Sequence, residues 1–120
     1  MIRKGKRERV VIMVKKLSEG EFEEQVLNAP GREVVAFYAA SNPEAGQIAK
    51  EMDRAAKDVA GNADIFWVDT EEEPALGRTY GEAAITYVLF QDGESFSTAN
   101  GPFSANQVIR MATELEFGAD

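Results

Sequence analysis

Val34-Val35-Ala36-Phe37-Tyr38-Ala39-Ala40 is an unbroken apolar run. Successive side chains on a strand point to opposite faces, so a strand with no polar position must be covered on both. A sheet packed between helices does this; a half-solvated antiparallel sheet does not. The expected strand covers residues 33–40 and breaks at once into Ser41-Asn42-Pro43-Glu44. There Asn42 suits a helix N-cap, Pro43 the first helical position and Glu44 the positive end of the helix dipole. Ile48, Met52, Ala55, Ala56 and Val59 then recur at helical spacing, and Gly61-Asn62 closes the helix.

The rest of the chain falls into elements of the same kind. Val10-Val11-Ile12-Met13-Val14 reads as a short buried strand. Ser18-Glu19-Gly20-Glu21 fits a capping box for a helix whose stripe is Phe22 and Val26 and whose stop is Asn28-Ala29-Pro30-Gly31. Residues 63–69 form a third strand, and Glu71-Glu72-Glu73-Pro74 opens a short helix reaching Tyr80-Gly81. Ile85-Thr86-Tyr87-Val88-Leu89-Phe90 turns through Gln91-Asp92-Gly93-Glu94 into an antiparallel partner over residues 95–100. Ser104 with Gln107 makes a second capping box, before a helix lined by Val108, Met111, Ala112 and Leu115.

The predicted order is βαβαβαββα, an α/β fold with a mixed central sheet and helices on both faces. Residues 10–117 are expected to form one domain, 1–9 a mobile basic arm and 118–120 a tail. Phe37, Ile48, Val68 and Leu89 are expected to share a single interior.

Composition narrows the chemistry. The chain has no cysteine and no histidine, which excludes disulfides, thiol nucleophiles, Cys/His metal sites and imidazole catalysis. The Glu71-Glu72-Glu73 run lacks the spacing of a calcium loop and reads as a solvated helix start, so no metal or other cofactor is expected. The net charge of −8 hides an asymmetry: residues 1–16 carry +6, through Arg3, Lys4, Lys6, Arg7, Arg9, Lys15 and Lys16 against Glu8, and the remainder carries −14. The body should repel nucleic acid and anionic membranes, while the arm attracts them. No apolar run approaches the ~18 residues of a membrane span, so a cytoplasmic protein without a membrane partner is expected.

In series, these segments resemble the thioredoxin family. Val34-Val35-Ala36-Phe37-Tyr38-Ala39 is similar to the family's Val-Val-Asp-Phe-Trp-Ala strand. Val68-Asp69-Thr70-Glu71-Glu72-Glu73-Pro74, with the later Tyr80-Gly81, is similar to its Val-Asp-Val-Asp-Glu-Asn-Pro and Lys-Tyr-Gly. Thr86-Tyr87-Val88-Leu89-Phe90-Gln91-Asp92-Gly93-Glu94 is similar to its Thr-Leu-Leu-Leu-Phe-Lys-Asn-Gly-Glu, and Gly101 falls at its late glycine. The register runs without a gap from residue 34 to residue 101, and more loosely from 17 to 115.

In that register Ser41-Asn42-Pro43-Glu44-Ala45 replaces the family's Trp-Cys-Gly-Pro-Cys. Asn42 and Ala45 then stand where the attacking and resolving cysteines would be, Ala36 where the buried acid would be, and Ile85 where the cis-proline would be. A cis bond before a non-proline residue costs about 3–4 kcal/mol, so the bond before Ile85 is expected to be trans and the nearby peptide groove altered.

The resemblance implies a redox-inactive thioredoxin-like domain with no catalytic residue, working by protein binding as a scaffold or assembly chaperone. Cysteine-free relatives among protein-folding and hydrogenase-maturation factors extend this, by analogy, to an accessory role in enzyme assembly. The expected binding residues are Ser41, Asn42, Pro43, Glu44, Ala84, Ile85, Thr86, Asn100 and Gly101, and the expected partner is another protein or a second copy of this chain. The alternative is an adaptor tethered to nucleic acid or an acidic surface through Arg3, Lys4, Lys6, Arg7 and Arg9; nucleic acid is disfavoured except through this arm. A third class, an enzyme using carboxylates alone, requires a buried acid pair in a cleft.

Overall fold

The computed structural model describes residues 14–114. The expected arm and tail, most of the first expected strand and Leu115 lie outside the described residues.

The described chain runs β1 (Lys15–Lys16), α1 (Glu19–Phe22, continued as a π-helical turn over Glu23–Leu27), β2 (Arg32–Tyr38), α2 (Ala45–Val59), β3 (Asp64–Asp69), α3 (Pro74–Tyr80), β4 (Ile85–Gln91), β5 (Glu94–Asn100) and α4 (Ala105–Thr113). The strands form one sheet in the order β1-β3-β2-β4-β5. β3 pairs in parallel with β1 and β2, and β4 pairs antiparallel with β2 and β5. This is the expected element order and mixed sheet.

Strand alternation divides the interior in two. Val34, Ala36 and Tyr38 of β2, with Tyr87 and Leu89 of β4, pack against Ile48 and Met52 of α2 and Val108 and Met111 of α4. Val35, Phe37, Val88 and Phe90 point the other way, onto Phe22, Val26 and Leu76 of the α1 and α3 layer. The four marker residues therefore do not share one interior. Ile48 and Leu89 lie in the first layer, Phe37 and Val68 in the second, as a sheet covered on both faces requires. The second layer is held by an aromatic cluster in which Phe22, Phe37, Tyr80 and Phe90 meet at centroid distances of 5.4 to 6.0 Å.

Both capping boxes form. The Ser18 hydroxyl accepts from the Glu21 N–H and the Glu21 carboxylate from the Ser18 N–H, which holds the Glu21 carboxyl below its ordinary range. Ser104 and Gln107 repeat the pattern at α4. Replacing Ser104 by Ala should lower stability by about 1 kcal/mol in urea denaturation, the usual cost of a lost N-cap.

Two helix starts differ from expectation. The repeating helical bonds of α2 begin with the Ile48 N–H to the Glu44 carbonyl, so Glu44 is the N-cap and Asn42 and Pro43 lie in a turn ahead of the helix, where the Asn42 side chain accepts from the Glu44 N–H at 2.8 Å as an Asx turn. The acids before α3 lie outside it, because the Glu72 and Glu73 N–H groups donate to the Asp69 carbonyl and Pro74 opens the helix.

Candidate binding surface

β2 and β3 end side by side, Tyr38 opposite Asp69, and the chain emerging from each forms one rim of a groove. On the β2 side, the Asn42 N–H donates to the Ala39 carbonyl and the Ala45 N–H to the Asn42 carbonyl, making a tight double turn. On the β3 side stands Asp69, only 4% exposed. Its Oδ1 accepts from the Ala40 N–H at 3.3 Å and the Glu71 N–H at 2.9 Å, linking the two rims. A second link is the Ser41 hydroxyl, which donates to the Glu71 carboxylate at 2.7 Å. A third joins the strand ends, since the Tyr38 carbonyl accepts from the Thr70 N–H and the Trp67 indole N–H.

The groove between these rims and α3 encloses about 600 Å³. Ser41, Asn42, Pro43 and Ala84 line it, with Thr70, Gly77 and Arg78 opposite. Most of its wall is glycine, alanine and proline, which lets another backbone come close.

The other expected residues are placed differently. Glu44 faces a separate pocket with Ile48, Glu51, Pro102 and Phe103. Ile85 and Thr86 are buried, and the Thr86 hydroxyl accepts from the Ala83 N–H and donates to the Ala83 carbonyl, so they shape the groove from beneath. Asn100 is exposed opposite Thr86, and the Gly101 N–H donates to the Ile85 carbonyl. Among the described residues the one cis peptide bond is Gly101–Pro102, so the bond before Ile85 is trans, as expected.

Two acids escaped the sequence reading. Asp69 differs from the Glu71-Glu72-Glu73 run that follows it: an aspartate at a strand end bonding the N–H two residues on is a recognisable Asx turn. Glu33 is 1% exposed on the sheet, and burial, reinforced by Asp64 and Asp92, pushes its carboxyl up to about 8. The register puts Glu33 beside Asp64, five positions along β3 from Asp69 or about 16 Å, so the two buried acids are not a pair. Among the described residues no cluster of acids is arranged to hold a metal ion, and no helix is long and apolar enough to cross a membrane.

A sheet in this order, with the β2–α2 turn at the end of its central strand and no sulfur in that turn, defines a thioredoxin-like domain without a thiol centre. The family model described as Thioredoxin matches residues 13–114, and the chain belongs to the thioredoxin family. It is similar to thioredoxin from Rhodospirillum rubrum, 29% identical over 89 residues that make up 73% of this chain and 86% of that protein. It is also similar to thioredoxin Y1, chloroplastic, from Arabidopsis thaliana, 26% identical over 82% of this chain and 58% of that one. Protein disulfide-isomerase A3 from Gallus gallus is 29% identical over 80% of this chain, which spans only 19% of that longer protein. The crystal structure of ERdj5 form II superposes with a TM-score of 0.69 over 82% of this chain and 14% of that chain, at 22% identity, a likeness of fold. Thiol exchange needs an attacking thiolate, and this chain has no cysteine, so the redox chemistry of a thioredoxin is not available to it.

Proposed function

We propose that this domain acts without catalysis, by holding an extended polypeptide in the groove between the β2–α2 turn and α3, as a scaffold or assembly chaperone. The observation that carries this reading is the groove itself, which stays open and tied along both rims although Asn42 and Ala45 have taken the cysteine positions. Its small lining residues favour main-chain contact over a deep side-chain pocket, which suits a partner recognised as a strand. An accessory role beside an enzyme under assembly in the cytoplasm extends this reading by analogy with cysteine-free members of the family.

Photo-crosslinkers placed at Asn42 and Ala84, with one at the exposed Phe96 as a control, test this reading. Polypeptide adducts should form at Asn42 and Ala84 at least tenfold more than at Phe96, and Ala83→Arg should abolish them. Equal yields at all three positions would remove the groove as the binding surface. Deleting residues 1–9 should leave the yields unchanged; their loss on that deletion would assign binding to the basic arm.

A further inference from the structure

Arg78 is the single charged residue on the wall of the groove, and it stands in the last turn of α3. A cation suits that end of a helix, where the macrodipole is negative, but the dipole does not require the side chain to face the groove. Each of the other described arginines is held within the chain. Arg32 donates to the Gln91 side chain and to the Ala112 and Glu114 carbonyls, Arg54 faces Glu51, and Arg110 pairs with Glu114. Arg78 alone among them has no hydrogen bond or ion pair with a described residue.

Acids close to it in the chain are engaged elsewhere or carried away. Asp69 binds both rims, Glu71 accepts from the Ser41 hydroxyl, and Glu72 pairs with Lys16 at 2.9 Å. Glu73 is the N-cap, at the far end of α3. Glu82 has the i, i+4 spacing of a helical ion pair, yet α3 ends at Tyr80 and Gly81 is extended, with φ −88° and ψ 91°, so the chain leaves the helix before Glu82 can pair. The result is an open guanidinium on a wall otherwise neutral and mostly glycine, alanine and proline.

We infer that the groove selects an extended segment bearing one aspartate or glutamate, whose carboxylate pairs with Arg78. This rests on the groove as the polypeptide site and names its preferred occupant. A guanidinium presents a planar fork of N–H donors that a carboxylate engages through two parallel bonds, and a main chain lying along the wall shields that pair from water. A terminal carboxylate is the lesser fit. Chain ends are held by runs of free N–H groups, and those of Asn42, Thr70 and Glu71 at the mouth already donate within the chain. Selection also works by repulsion. Residues 17–120 carry −14, and Glu72, Glu73 and Glu82 flank α3 in the chain, so further acids in the visiting segment are disfavoured and neutral or basic neighbours preferred.

Synthetic peptides identical except for a central glutamate, glutamine or lysine, each with an amidated C-terminus, test this on the full chain carrying a photo-crosslinker at Ala84. The glutamate peptide should give about tenfold more adduct than the glutamine peptide, the worth of one charge-assisted pair, and the lysine peptide the least. Arg78→Gln should bring glutamate and glutamine level, and Arg78→Glu should invert the order so that lysine leads. Lys50→Gln, an exposed cation of α2 off the groove, should change nothing. Arg78 is exposed, so both variants should keep the parent's far-UV circular dichroism; the peptide comparison in the parent stands without them. Equal adducts from glutamate and glutamine, a preference that survives Arg78→Gln, or a glutamine peptide with a free C-terminal carboxylate that matches the glutamate peptide would each overturn the inference and leave the groove as a polypeptide site. No adduct from any peptide would remove the groove reading itself, and this inference with it.

Discussion

Raising the pH from 5 to 9 should cost this protein on the order of 4 kcal/mol of folding stability, and Glu33→Gln should remove most of that loss. Glu33 lies on β2 with its Oε1 buried and without a hydrogen-bond partner. Burial lifts its carboxyl from the ordinary 4.5 to about 8, and Asp64 and Asp92 push the same way. Between those values the folded chain keeps a proton that the unfolded chain has released, so stability falls as pH rises, at about 1.4 kcal/mol per unit. The contribution is fully present below 4.5 and gone above about 8. The chain has no histidine and no cysteine, so few other groups titrate in this window and the signal stands nearly alone. Urea denaturation of the parent and Glu33→Gln at pH 5, 7 and 9 checks it. The curves should agree at pH 5 and separate by pH 9, the variant being the more stable; parallel curves would show that Glu33 titrates normally.

The second large effect is expected at the β4–β5 hairpin. Asp92 and Gly93 both have positive φ, 51° and 87°, the backbone of a tight two-residue turn. The turn is docked: the Asp92 N–H donates to the Gly31 carbonyl, and Asp92 Oδ1 accepts from the Gly31 N–H at 2.8 Å. A Cβ on Gly93 would run into the backbone carbonyl of Leu27 at the end of α1, where no flexible side chain can give way. Gly93→Ala therefore combines an unfavourable φ, about 1–2 kcal/mol, with overpacking of about 1–3 kcal/mol. A loss of about 3 kcal/mol should lower Tm by more than about 10 °C. Gly20→Ala is the counter-case: it lies in α1 with nothing within 4 Å of the added methyl, and should raise stability by up to about 1 kcal/mol. Equal changes at the two glycines in differential scanning calorimetry would refute the packing argument.

Much of this architecture was legible because local signals agreed with one another. The run through Val34 and Phe37 demanded a doubly covered strand, and β2 is buried from Glu33 to Tyr38. Both capping boxes named their helices, and the Asp92-Gly93 pair named its hairpin. What escaped depended on distant neighbours. Counting back by twos from Phe37 puts Glu33 on the inner face, but its desolvation and its two acidic neighbours come from β3 and from the hairpin, 31 and 59 residues away in the chain. Asp69 looked like one more surface acid until β2 and β3 were laid side by side. The binding candidates divided for the same reason: Ser41, Asn42, Pro43 and Ala84 meet across the groove, while Glu44 turns to another pocket once the helix starts later than Asn42.

The Asp69 link also governs how any docked chain would be selected. With one carboxylate out of water and bound to both rims, the mouth of the groove has its outline before a visitor arrives. Little ordering remains to be done on this side, so the visiting chain must do the conforming. Good and poor visitors would then be sorted by dwell time more than by arrival rate.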